Sequence, residues 1–211
     1  MPIKKILEPF LKQVNQKVDI EHCINAFELY LQELIRWNKI INLTAIEDES
    51  EIVIKHFIDS LIPITFINDN DFILDIGSGA GFPGLPIKIV KPSVRLVMID
   101  SRLKKINFIN NIINLLNIHG ATALHQRAEA EDFQKVMKES FDVVISRASF
   151  SIEELAELSK PYLKNRGKLI AMKSKKIEDV KEMNGFKQTE ELKTHLPDGS
   201  FRRIIVFERI E

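Results

Sequence analysis

The sequence predicts an α/β fold: a mostly parallel, doubly wound sheet that ends in an antiparallel hairpin and follows a helical extension. Three observations carry this expectation. From residue 71 onward, short apolar runs alternate with amphipathic segments, the pattern of strand–helix–strand crossovers. Near the C-terminus, Pro197-Asp198-Gly199 separates two extended runs, a turn signal between paired strands. Before residue 71 the apolar side chains recur at helical spacing.

The elements follow in chain order. Ile3, Ile6, Leu7, Phe10, Leu11 and Val14 mark one helix face. Ile24, Phe27, Tyr30, Leu31 and Leu34 mark a second, and Val53, Ile54, Phe57, Ile58 and Leu61 a third over Ser50–Ile62. Residues 1–70 are therefore read as a helical extension and residues 71–211 as the sheet domain. The expected strands are 72–76, 95–100, 121–126, 141–146 and 167–173, separated by helices near 84–90, 102–117 and 131–139 and by one opening at Ser151-Ile152-Glu153-Glu154, a capping box. The runs 186–196 and 201–210 form the terminal hairpin. There is no internal repeat.

Composition excludes several classes. The 211 residues carry 30 basic and 30 acidic side chains, so no global field steers the chain to nucleic acid. A single cysteine, Cys23, rules out an internal disulfide and fits a reducing compartment. No signal-peptide pattern and no apolar run of membrane-spanning length is present. These features predict a soluble cytoplasmic protein. The histidines show no metal-ligand spacing, so no metal is expected.

The informative stretch is Phe72 to Val90, FILDIGSGAGFPGLPIKIV. Four glycines fall within eight residues at the end of a strand, where ligands bind in doubly wound sheets. Bare backbone there permits close approach and positive φ. Gly79-Ala80-Gly81-Phe82-Pro83-Gly84 matches the dinucleotide fingerprint. Asp75-Ile76-Gly77-Ser78-Gly79-Ala80-Gly81 matches the acid-plus-glycine loop of S-adenosylmethionine-dependent methyltransferases. Asp100, ending the second strand, suits either cofactor by facing ribose hydroxyls. The acid before the first glycine, the terminal hairpin and the small sheet domain favour the methyl donor and a Rossmann-like class I methyltransferase.

At this point the chain resembles a known family, the bacterial small-subunit (16S) ribosomal RNA guanine-N7 methyltransferases, also called glucose-inhibited division protein B. The resemblance rests on Arg36-Trp37-Asn38-Lys39 with Asn42-Leu43-Thr44, on His56-Phe57-Ile58-Asp59-Ser60, on Asp75 to Gly84 with its Phe-Pro-Gly-Leu-Pro extension, and on Ile145-Ser146-Arg147-Ala148. It implies methyl transfer to N7 of one guanine in small-subunit ribosomal RNA. It also implies that Gly77 and Phe82 line the cofactor pocket, that Ala128 and Glu129 flank the adenine, and that Arg147 faces the pocket. Ser78-Gly79-Ala80 departs from the Thr-Gly-Pro of some relatives but keeps the glycine spacing.

The residues agree with that chemistry. A guanine N7 lone pair needs no deprotonation, so proximity and alignment suffice, worth ~7–11 kcal/mol, and no general base is sought. No Pro-Pro-aromatic motif follows the fourth strand, where Ser146-Arg147-Ala148-Ser149 stands instead, and Cys23 lies far from the loop. Seven basic residues and no acid occupy 160–176. Lys173, Lys175 and Lys176, with Arg102, Lys104 and Lys105 after the second strand, form a candidate phosphate-binding rim. His56 and Asp59 lie one turn apart, and two readings stand: they help hold the guanine or the RNA backbone near the pocket, or, the reading favoured, they form a local polar pair that locks their helix to the core. Trp37 reads as an anchor between extension and sheet. The alternatives are a methyltransferase of another RNA or of small molecules, a nicotinamide-dependent oxidoreductase, and an RNA-binding scaffold. No obligatory protein partner is implied, and nothing demands more than a monomer.

Overall fold

A computed structural model of the chain describes residues 2–14, 18–147, 150–174 and 182–210. The helices are α1 (Pro2–Val14), α2 (Ile20–Ile41), α3 (Glu49–Ile52), α4 (Asp59–Leu61), α5 (Gly84–Val90), α6 (Leu103–Leu115), α7 (Glu131–Val136) and α8 (Ile152–Ser159). The strands are β1 (Phe72–Ile76), β2 (Arg95–Asp100), β3 (Ala121–His125), β4 (Phe141–Ser146), β5 (Leu163–Lys173), β6 (Glu182–Met183), β7 (Phe186–His195) and β8 (Phe201–Arg209). They form one sheet in the order β3-β2-β1-β4-β5-β8-β7-β6. Strands β1 to β5 pair in parallel; β8 and β7 add antiparallel, as the terminal hairpin predicts.

Successive side chains of a strand point to opposite faces, and the sheet uses this to build two cores. Ile73, Leu96, Met98, Val143, Ile145, Ile170, Ile204 and Val206 face one cluster, which continues through α5 and α6 into the extension as Tyr30, Phe27, Phe57 and Leu7. Leu74, Ile76, Val97, Ile99, Val144, Leu169, Ile205 and Phe207 face the other, under α7 and α8. The extension and one face of the sheet thus share a continuous apolar interior. Trp37 packs edge-on against Phe108 of α6, 5.6 Å between ring centroids, which is the anchoring expected of it.

Three departures have local causes. The third helix is not continuous: between α3 and α4 the backbone widens into a π-helical stretch (Val53–Ile58), and a 3-10 turn (Ile62–Phe66) follows. Side-chain bonds enter the ladder there, since Lys55 O accepts from Arg147 and His56 O from Ser60. Strand β5 starts four residues earlier than the run 167–173 suggests, because a register shift lets Leu163 pair with Phe141 before Lys168 pairs with Val143. A Cβ on Gly167 would sit 2.9 Å from the Lys164 carbonyl, so this kink needs glycine. Strand β6, only two residues long, has no sequence signature. Among the described residues, no helix is long and apolar enough to cross a membrane.

Candidate cofactor and RNA site

The loop after β1 is held from the neighbouring strand β2. Ile99 O of β2 accepts from Gly77 N (2.9 Å) and Ser78 N (3.1 Å), and Ser78 O accepts from Gly81 N and Phe82 N. Gly77, Gly79 and Gly81 all have positive φ, at 73°, 61° and 94°. A side chain at any of the three would be strained. The two acids act on this loop directly. Gly79 N donates to Asp100 Oδ2 (3.0 Å) and Gly84 N to Asp75 Oδ2 (2.9 Å). Each carboxylate therefore fixes a stretch of backbone that side chains are absent from.

The glycines are not equivalent. A Cβ at Gly81 would meet Tyr30 Oη at 2.6 Å and Leu85 Cδ1 at 2.7 Å; one at Gly84 would meet Asp75 Oδ2 at 2.8 Å. Those two admit protein. At Gly79 only Lys105 Nζ comes near, at 3.5 Å, which leaves that backbone approachable.

A cavity of about 260 Å³ opens at the carboxyl ends of β1, β2 and β3, lined by Gly77, Asp100, Arg102, Ala128, Glu129 and Phe150 among others. The structure thus brings together the glycine loop, the ribose-type acid and the residues after β3 that the sequence singles out. Ala128 is held from behind, its carbonyl accepting from Tyr162 Oη (2.5 Å) and Gln134 Nε2 (3.1 Å). Asp75 lies fully buried, and its Oδ1 has no hydrogen-bond partner. Burial pushes its carboxyl up to about 7, with the Gly84 amide and the Arg147 charge opposing. Asp100 at the cavity wall, bare backbone at Gly77 and the small Ala128 across from it fit a nucleoside; Asp75 lies buried behind the loop and does not line the cavity.

Of the residues expected to meet the cofactor, Asp75, Gly79, Gly81, Phe82 and Arg147 do not line that cavity. Phe82 is buried, with Tyr30 and His56 stacked on it at 5.5 and 4.7 Å. The Arg147 Cζ lies 5.1 Å from the Phe82 ring centroid. Arg147 Nη1 donates to Lys55 O (2.9 Å) and to Asp59 Oδ2 (3.2 Å), and Nη2 meets His56 Nδ1 (3.1 Å). Arg202 of β8 takes the other Asp59 oxygen at 2.8 Å. His56 and Asp59 do lock their helix to the core, but through Arg147 rather than through each other. Sequence reasoning missed Arg202, which carries no local signal, and read Tyr30 only as an apolar position; its hydroxyl donates to Ala80 O in the glycine loop.

The basic rim is divided. Lys164, Arg166 and Lys168 sit in the first half of β5 and bond to Asp142, Glu208 and Phe66 O. Lys173 Nζ donates to the carbonyl of Phe150, a residue of the cavity wall. Arg102 is exposed and bonded to Asp100; Lys104 is exposed; Lys105 is buried. Lys175 and Lys176, like Ala148 and Ser149, lie outside the described residues. Cys23 is buried, its thiol raised to about 11 by burial and, less, by Asp19. Among the described residues no group of His, Cys, Asp and Glu could hold a metal ion.

Known proteins resemble this chain along most of its length. The family profile described as rRNA small subunit methyltransferase G matches residues 23–198. The protein named ribosomal RNA small subunit methyltransferase G of Lachnoclostridium phytofermentans is 40% identical over 195 residues, covering 88% of this chain and 81% of that protein. The protein of the same name from Streptococcus agalactiae is 44% identical over 177 residues, covering 79% and 75%. Among solved structures, a SAM-dependent methyltransferase from Aquifex aeolicus aligns with a TM-score of 0.60 at 17% identity, over 80% of this chain and 97% of that one. The M. jannaschii protein TYW2, solved in complex with AdoMet, aligns at 0.53 and 18%, over 70% and 73%. These structural likenesses establish the fold, and the family profile with the sequence relatives goes further: the chain belongs to the rRNA small subunit methyltransferase G family.

Proposed function

We propose that the protein transfers a methyl group from S-adenosylmethionine to N7 of a guanine in small-subunit ribosomal RNA. Family membership carries the rRNA methyltransferase activity and its methyl donor. The choice of N7 rests on chemistry. The cavity that joins Gly77, Asp100, Ala128 and Glu129 is the observation that supports the placement of the cofactor.

When bound, S-adenosylmethionine supplies a sulfonium methyl; the N7 lone pair forms the new N–C bond while the C–S electron pair stays on sulfur. No proton leaves the base in this step, so the chain needs no residue to remove one. Its task is alignment. Asp100 is positioned to face the ribose hydroxyls, and the backbone of Gly77 and Gly79 to lie against the ligand. Asp75, buried behind the loop, accepts from Gly84 N and holds the far end of the loop in place. Arg147, tied to Asp59 and His56, acts as a positioning residue that holds the carboxyl end of β4 against the extension. Arg102, exposed at the cavity edge, and Lys104, exposed two residues further on, meet RNA phosphates. The partner is small-subunit RNA or the small subunit itself.

Tritiated methyl transfer to unmodified small subunits, to naked ribosomal RNA and to a small-molecule extract tests the assignment. Label should appear in small-subunit RNA as 7-methylguanosine. Label confined to small molecules, or to a different atom of the RNA, contradicts it.

A further inference from the structure

A second cavity, of about 680 Å³, lies between the C-terminal end of α2, the loop after it and the start of α6. Its lining combines apolar Leu34, Ile35 and Leu43 with Asn38, Arg102 and Lys105. Two contacts tie it to the glycine loop. Arg102 lines both cavities, and Lys105 Nζ sits over Gly79.

Lys105 is the telling group. The residue is only 8% exposed; its ammonium keeps contact with solvent and makes no hydrogen bond or ion pair with any described residue. Burial holds its pKa below the ordinary lysine value; Asp100 works against that, while Arg102 and Lys104 add to it. Lys88, the other buried lysine, differs: its Nζ is satisfied by the carbonyls of Pro92 (2.7 Å) and Val94 (2.5 Å). A partly desolvated cation beside other cations is stabilised when an anion reaches it. Asn38 is half committed. Its Oδ1 accepts from Thr44 N (2.9 Å), and its NH₂ makes no bond among the described residues.

Resting on the rRNA methyltransferase reading above, we propose that this cavity seats one nucleotide of the substrate RNA. Its phosphate lies on Lys105 and Arg102, and its base lies along Leu34, Ile35 and Leu43 within reach of the Asn38 amide. The volume falls in the range of small-ligand sites. A bare phosphate would use the cations and leave the apolar lining without a role, whereas a nucleotide uses both.

The test compares Lys105→Met, Lys105→Arg and Ala45→Trp with the wild type. Ala45 is exposed and lines the cavity, so tryptophan there fills the space without removing a charge. Three quantities are read: S-adenosylmethionine Kd, KM for unmodified small subunits, and the salt dependence of binding to small-subunit RNA. Lys105→Met should raise KM about tenfold and lower the salt slope by about one, the loss of one phosphate contact. Lys105→Arg should recover most of the KM, and Ala45→Trp should raise KM with the salt slope nearly unchanged. Cofactor Kd should stay within about threefold of wild type in all three. If KM and salt slope are unchanged in folded variants while the wild type methylates RNA, the nucleotide site is wrong and the function stands. If Lys105→Met weakens the cofactor instead, Lys105 belongs to the cofactor cavity and the proposal fails. If the wild type methylates no RNA, the function itself fails, and this site with it.

Discussion

Arg147 Nη2 lies 3.1 Å from Nδ1 of His56. A guanidinium has only donors, so Nδ1 accepts and the ring is neutral, with its hydrogen on Nε2. That hydrogen is directed to Thr44 Oγ1, 2.8 Å away. The imidazole thus bridges the loop after α2 to the end of β4. Burial first, then the Arg147 charge, lowers its pKa to about 3.

The sign of the resulting pH dependence follows. The folded pKa lies below the ordinary histidine value of 6.5, so the unfolded chain takes up the proton first. Stability from this group is complete above about pH 6.5 and is lost as pH falls toward 3. The thermal midpoint of the wild type should drop on acidification from pH 7 to pH 4, and that of His56→Gln should drop less. Equal slopes for the two would remove the neutral histidine from the account.

Asp75 has the opposite sign. Its folded pKa, about 7, lies above the ordinary aspartate value of 3.8, so its contribution is full below about pH 3.8 and is lost as pH rises through 7. In the cofactor-free protein, Asp75→Asn should be more stable relative to wild type at pH 8 than at pH 5. The same variant should bind S-adenosylmethionine more weakly, read by calorimetry, because the carboxylate that accepts from Gly84 N anchors the glycine loop.

Gly79 and Gly81 should fail differently. Gly81→Ala drives a methyl into Tyr30 Oη and Leu85 and should cost about 1–3 kcal/mol of folding stability, the range for overpacking. Gly79→Val meets open space apart from Lys105 Nζ. Its main effect should be loss of cofactor affinity in a protein that still folds, beyond the strain of its positive φ. Denaturant melts and cofactor titrations separate the two; similar profiles would contradict the division of roles.

Arg147→Met removes one of two partners of the buried Asp59, leaving Arg202. It should destabilise by ~3 kcal/mol, the lower end for breaking a buried ion pair. Methyl transfer should fall through kcat, because the extension loses its register on the loop while the cofactor cavity keeps its own lining. A change confined to cofactor Kd would place Arg147 in the pocket instead.

The sheet was legible because β1, β2, β4 and β5 are buried on both faces, and continuous apolar runs announce that. The cavity beside the glycine loop was legible at Gly77 and Asp100, since the loop follows β1 and Asp100 ends the adjacent β2. Tyr30 was not: its partner Ala80 is fifty residues away, and helical spacing reports only burial. Lys105 was read as a rim lysine, although it falls three, four and seven residues before the buried Phe108, Ile109 and Ile112. That helical phase was the available signal, and a charge count overrode it. The π-helical stretch at His56 depends on Arg147, a partner distant in sequence, so no local pattern could reveal it.

Because the Tyr30 hydroxyl grips the Ala80 carbonyl, loosening α2 also releases the ligand-bearing turn. Amide exchange in that helix should therefore slow when a nucleoside settles two layers away, although the helix never meets it. The N-terminal segment serves as a gauge of occupancy, one that a truncation would erase along with the binding it reports.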